Sequence, residues 1–136
     1  MNPLKMLLYP AMLFFASSAI AQPPQQAVPN QPFSALHVMT ITAAQEKSYK
    51  AAIEGINGII ARAGCSTCGY HLYKISDAAQ GGRNYVQISN WPSRDVYTKI
   101  HASKEFQAAY KQHANVIDPI FKSEDYYRIT EVKTGK

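Results

Sequence analysis

The chain has 136 residues, enough for one domain and too few for two. Fourteen Lys and Arg against nine Asp and Glu give a formal charge of +5, or +4 (5 − 1) once Lys5 is set aside. The basic residues stand singly among acidic ones, and no run or stripe could follow a phosphate backbone, which argues against a nucleic-acid partner.

Residues 1–21, MNPLKMLLYPAMLFFASSAIA, carry one charge at Lys5, then an apolar run, then Ala19-Ile20-Ala21. Small residues flanking one position after an apolar run mark a secretory signal, with a mature chain starting at or near Gln22. A membrane span needs about 20 unbroken apolar residues, and Pro10 and Ser17-Ser18 interrupt this run. The expectation is an exported protein, periplasmic or secreted, with no membrane anchor after signal cleavage. Residues 22–34, QPPQQAVPNQPFS, are dominated by Pro and Gln and read as a flexible tether. The folded domain is expected over residues 35–136.

ALHVMTIT (35–42) is rich in β-branched residues and reads as a strand. Thr42 then caps a helix, with Gln45 at the position a capping box requires. Tyr49, Ala52, Ile53, Ile56, Ile59, Ile60 and Ala63 recur at spacings of three and four and form one apolar face. Gly64 is placed to end that helix. Gly55 and Gly58 lower its intrinsic helicity by roughly 1 kcal/mol each and suggest close approach of another backbone. GYHLYKIS (69–76) is a second strand, and DAAQGGRN a turn suited to a hairpin. NYVQISNW (84–91) is a third strand, antiparallel to the second. Ser93 is an N-cap with Asp95 in the first turn, and Ser103-Lys104-Glu105 is a second capping signal that predicts a break near residue 102. Val96, Tyr97, Ile100, Phe106, Ala109, Tyr110 and His113 continue an apolar face, and Asp118-Pro119 is expected to stop the helix. DYYRITEV (125–132) is the last strand.

The order β-α-β-β-α-β defines an α+β, ferredoxin-like domain with both helices on one sheet face. The other face needs covering, which predicts a homodimer. Tyr70, Tyr73, Tyr85, Tyr126 and Tyr127 fall on predicted strands, where they suit a pocket for a flat aromatic ligand or a sheet-to-sheet contact.

Cys65 and Cys68 follow the first helix. A thioredoxin-type motif sits at a helix N-terminus, a c-type haem site needs His rather than Gly69 after the second Cys, and a zinc site needs more ligands than His71 adds. The reading that remains is a structural disulfide formed after export, with no metal.

In this order of elements, Trp91-x-Ser93-x-Asp95-x-Tyr97 followed by Ser103-x-x-Phe106 resembles the antibiotic biosynthesis monooxygenase family of the dimeric α/β-barrel superfamily. The resemblance implies a dimeric α/β barrel and an oxygenase that uses no metal, flavin or haem. Such an enzyme deprotonates a phenolic, quinol or anthrone-like compound, whose anion reacts directly with O2. In the branch acting on anthrones an Asn, a Trp and a Tyr carry the site, and their positions here are Gln87, Trp91 and Tyr97. The strand period puts Gln87, Ser89 and Trp91 on one face, with Tyr97 one helical turn beyond. A carboxamide there can hold an oxyanion, and an indole N–H and a phenol can orient a peroxide. Ser89, Tyr85, His101 and Phe106 are the candidate binding residues around them. The proton acceptor stays open between His101 and His71. The haem-degrading branch of the superfamily would place its Trp and His at Ile100 and Tyr110, so that chemistry is not expected. The alternative is a non-catalytic exported dimer of the same fold that binds a small molecule or haem.

Overall fold

Seven elements follow one another in the computed structural model, which describes residues 30–135. They are β1 (Phe33–Met39), α1 (Ala43–Arg62), β2 (His71–Lys74), β3 (Tyr85–Trp91), α2 (Arg94–His101), α3 (Lys104–Phe121) and β4 (Asp125–Ile129). The expected signal and residues 22–29 of the expected tether lie outside the described residues. The strands form one antiparallel sheet in the order β2-β3-β1-β4. With α1, α2 and α3 this is the ferredoxin-like α+β fold, its second helix broken in two.

The local signals act where the sequence places them. The Thr42 hydroxyl accepts from the Gln45 amide N–H at 3.3 Å, and Gln45 Oε1 accepts from the Thr42 N–H at 3.0 Å, so the capping box is complete. Gly64 follows the C-cap with φ of +97°, a left-handed conformation that a side chain would strain. Ser93 Oγ accepts from the Val96 N–H at 3.2 Å, and Ser103 Oγ from the Phe106 N–H at 3.2 Å, so the predicted break separates α2 from α3.

Several boundaries differ from expectation: β3 begins at Tyr85 rather than 84 and β4 ends at Ile129 rather than 132, and the others have identifiable causes. β1 begins at Phe33, because Phe33 and Ser34 pair with Trp91 and Asn90 of β3, so the last two residues of the expected tether are strand. β1 stops at Met39 rather than 42, because the Asn84 side chain takes over the backbone of Ile41, accepting from its N–H and donating to its carbonyl, both at 2.8 Å. β2 is shortened to His71–Lys74 for the same kind of reason. Asn57 of α1 accepts from the Tyr70 N–H at 2.7 Å and donates to the Tyr70 carbonyl at 2.9 Å, engaging the residue that would have begun the strand. Finally, Asp118-Pro119 does not stop α3, which runs to Phe121. A proline removes one helical hydrogen bond, and here Ile117 and Ile120, each 1% exposed, hold the final turn on the core. The expected close backbone at Gly55 is instead the His113 side chain of α3, whose Nε2 would lie 3.2 Å from a Cβ at that position.

The two-residue period of the strands sorts the sheet. Ala35, His37 and Met39 of β1 and Tyr85, Gln87, Ser89 and Trp91 of β3 are buried under the helices. The register then assigns Leu36, Val38, Val86, Ile88, Tyr73, Tyr127 and Ile129 to the opposite face, which no helix covers. Tyr73, Tyr127 and Ile129 are about half exposed there. The core between sheet and helices is closed by Tyr49, Ile56 and Ile60 of α1 with Ile117 and Ile120 of α3.

The Asn57 bridge gives a test of this architecture. Asn57→Ala leaves two part-buried backbone groups of Tyr70 unpaired and is expected to cost about 1–3 kcal/mol, read as a lower urea midpoint at unchanged m-value.

Candidate active site

A cavity of about 180 Å³ lies between the sheet and the helices. Its floor is formed by Ala35 and His37 of β1 and Gln87 of β3, the last two being direct cross-strand neighbours. Its walls are mostly apolar, from Ile53 and Ile56 of α1 and Phe106, Ile117 and Phe121 of α3. Tyr70, Tyr97, His101 and Tyr110 supply the remaining polar edge.

Gln87 is fully buried. Its Oε1 accepts a hydrogen bond from the Tyr49 hydroxyl at 2.9 Å, while its Nε2 has no partner among the described residues. Burial raises the Tyr49 pKa far above its ordinary value, so the phenol stays protonated and keeps donating. Turning the amide over would orphan that hydroxyl proton, so the NH2 is the end left free. A buried donor without an acceptor costs about 1–3 kcal/mol, and it belongs to a residue that lines the cavity.

The two cavity histidines are held differently. His101 Nδ1 lies 2.8 Å from the Tyr97 carbonyl, which can only accept, so Nδ1 carries the proton. Its Nε2 then accepts from the Tyr70 hydroxyl at 3.0 Å. Burial pushes the His101 pKa down; the bond to Tyr97 opposes this, and nearby Arg128 and His37 add to it. His101 is therefore neutral near pH 7, with both nitrogens engaged. His37, by contrast, places Nδ1 2.6 Å from Glu124 Oε2, with both side chains nearly buried. Its ring stacks on Phe121 (5.1 Å between centroids, 17°) and packs against Tyr126 at 4.9 Å. His37 Nε2 makes no hydrogen bond among the described residues.

Around Tyr97 the rings are layered. Tyr97 stacks on His101 at 3.8 Å, and the Trp91 ring meets Tyr97 edge-on at 5.0 Å and His101 at 5.0 Å. Burial and the neighbouring Tyr126 raise the Tyr97 pKa, and Arg128, 5.3 Å above its ring, lowers it in part.

Of the residues expected from sequence, Gln87, Tyr97, His101 and Phe106 meet in the cavity. Trp91 and Ser89 stand together behind its wall. Trp91 is 1% exposed, and its indole N–H donates to Ser89 Oγ at 2.8 Å, so it reaches the cavity only through Tyr97 and His101. Tyr85 lies at the other end of β3, beneath Lys74, away from the cavity. His71 is exposed on the far face of β2. Cys65 and Cys68 form the expected disulfide. Sequence reasoning missed His37, Glu124 and Tyr49, whereas Tyr70 was among the tyrosines expected to suit a pocket and does line it. His37 had a readable signal, a titratable side chain at an inward position of an otherwise apolar alternation.

No family profile matches the chain, and no curated protein sequence does either. Solved structures do share its fold. A variant of SnoaB, a cofactor-independent oxygenase from Streptomyces nogalater, aligns over 76% of this chain and 96% of its own at 16% identity, with a TM-score of 0.56. A provisionally assigned antibiotic biosynthesis monooxygenase from Caulobacter crescentus covers 76% of this chain and 92% of its own at 11% identity, with a TM-score of 0.57. A dimeric ferredoxin-like protein of unknown function from Thermobifida fusca covers 78% and 96% at 12% identity, with a TM-score of 0.53. The chain therefore has the ferredoxin-like fold found among antibiotic biosynthesis monooxygenases.

The buried His101 makes stability depend on pH. Its folded pKa lies below the ordinary value near 6.5, so the unfolded chain binds the proton more readily. This contribution is present above pH 6.5 and is lost as pH falls through the folded pKa. Resistance to urea is expected to fall from pH 7 downward, with a smaller slope in His101→Gln.

Proposed function

We propose that this protein is an oxygenase that binds a small phenolic or quinol compound in the cavity and lets its anion react with O2, with no metal, flavin or haem taking part. The observation that carries this reading is the Gln87 NH2, unpartnered among the described residues, at a mostly apolar cavity. In such a low-dielectric space a preorganised donor stabilises a developing oxyanion far better than water-exposed groups can. The shared fold with a cofactor-independent oxygenase supports it.

The chemistry proceeds in balanced steps. The substrate gives up its acidic proton, and the electron pair stays on an oxygen that Gln87 holds. The anion passes one electron to O2, and the two radicals join in a C–O bond. The resulting peroxide takes up a proton and loses water, so two substrate hydrogens are replaced by a carbonyl oxygen. Tyr97 is protonated and edges the cavity, which suits it to donate a hydrogen bond to the peroxide. Trp91 acts through Tyr97 and His101 by fixing their rings.

We further place the protein outside the cytoplasm, where the Cys65–Cys68 disulfide is at home. We also propose a homodimer, with a second copy covering Leu36, Val38, Val86, Ile88, Tyr73 and Tyr127. That apolar face and the dimeric ferredoxin-like neighbour support the assembly.

Oxygen uptake with hydroquinones and catechols in the presence of a chelator, with anthrones as a larger comparison, tests the activity. Turnover above the spontaneous rate is expected, with Gln87→Leu lowering kcat roughly 100-fold to 1000-fold. Saturable ligand binding with uptake no faster than buffer would instead make this a binding protein. For the assembly, Ile88→Asp places a charge in the proposed contact and is expected to sediment as a monomer beside a dimeric wild type.

A further inference from the structure

The proposed reaction needs a proton acceptor, and we infer that His37, held by Glu124, is that acceptor and that its substrate is a single-ring phenol. The inference rests on the oxygenase reading for its biological meaning but makes claims about binding and ionisation that stand apart from it.

The argument begins with which groups can take a proton. Tyr49 and Tyr70 are held protonated by burial, and burial raises Tyr97 too. His101 has its Nδ1 proton on the Tyr97 carbonyl and its Nε2 lone pair under the Tyr70 hydroxyl. His37 differs from all of these. Glu124 can only accept through its carboxylate, so the 2.6 Å contact puts the neutral imidazole's proton on Nδ1 and the basic lone pair on Nε2. A carboxylate that fixes the tautomer and orientation of an imidazole in this way is the arrangement in which a histidine serves as a general base. Stacking on Phe121 fixes the ring plane.

Register then brings base and oxyanion donor together. His37 and Gln87 are direct cross-strand partners with side chains on the same face, which sets their Cβ atoms about 4.5–5.5 Å apart. One phenolic oxygen between them can accept from Gln87 Nε2 while its O–H bond breaks toward His37 Nε2. The proton moves to the imidazole, the electron pair remains on the oxygen, and no further reactant is required.

Size selects the substrate. A cavity of about 150 Å³ lined by aliphatic and aromatic side chains holds one benzene. This one measures about 180 Å³ and is lined by Ile53, Ile56, Phe106, Ile117 and Phe121. That volume matches one substituted ring more closely than three fused rings or a porphyrin.

The test uses 4-nitrophenol, whose ionised form has its own visible absorption band, with the purified full chain buffered below the probe's solution pKa. Wild type is expected to bind it with the phenolate band visible, and anthrone is expected not to displace it. His37→Gln should bind the probe without the band. Glu124→Gln, which retains a hydrogen bond to His37 but not the charge, should weaken the band without removing it. In oxygen uptake on a single-ring hydroquinone, His37→Gln should lose roughly 100-fold to 10,000-fold in kcat. An unchanged band in His37→Gln, a wild type that does not bind the probe, or displacement by anthrone at matching concentration overturns the inference. A phenolate band without oxygen uptake upholds the proton acceptor and removes the oxygenase reading. Oxygen uptake undiminished in His37→Gln does the reverse.

Discussion

The pairing of β1 with β3 is the constraint on which the site depends. Strand side chains alternate with a period of two, so a slip of one residue would turn His37 and the whole β3 set of Gln87, Ser89 and Trp91 to opposite faces. The register is held by apolar neighbours on both faces and is closed at one end by Asn84, which bonds both backbone groups of Ile41 and sends its own N–H to the Met39 carbonyl. Through it, two polar side chains from residues fifty positions apart in sequence come to lie side by side beneath the helices.

Placing polar groups on the buried face of a small sheet is unfavourable unless each is answered. Three are found there, and their treatment separates support from function. Ser89 is answered by the Trp91 indole and His37 by Glu124. Gln87 is answered only at its oxygen. A Leu at that position would remove the unpaired donor but orphan the Tyr49 hydroxyl, so stability accounts for the amide's oxygen and not for its free NH2. The deficit falls on the cavity floor, where a ligand oxygen would relieve it. Proteins hold local imperfections of this kind where they act on something else.

Much of this was legible in the sequence because it is local. Caps at Thr42, Ser93 and Ser103, the end of α1 at Gly64 and the inward face of β3 depend on residues a few positions apart. The losses have a common cause in long-range side-chain bonding. Asn57 shortens β2 and Asn84 ends β1 by imitating a strand edge across 13 and 43 residues, and nothing in the local pattern announces either. The Asp118-Pro119 stop failed because core burial of Ile117 and Ile120 outweighs one absent hydrogen bond. Gln87, Tyr97, His101 and Phe106 were recoverable from strand period and helix position. Glu124 was not, since its partner is 87 residues earlier. Trp91 shows the opposite limit, because spacing identified the residue but not that its N–H faces Ser89.

The break between α2 and α3 explains how so short a chain can wall a cavity on several sides. One continuous helix would present a single stripe to the sheet. Here Ser103 ends one helix and begins the next, its hydroxyl donating to the Ile100 carbonyl and accepting from the Phe106 N–H. The Gln107 side chain donates to the His101 carbonyl and ties the two segments together. Freed from a common axis, α2 aims Tyr97 and His101 at the Trp91 end of β3, while α3 carries Phe106, Tyr110 and Ile117 along the opposite wall toward Phe121. The site's aromatic edge and its apolar wall thus come from separately capped helices. Changes that alter one wall need not disturb the other, and the pairing of His37 with Gln87 on the floor is left untouched by both.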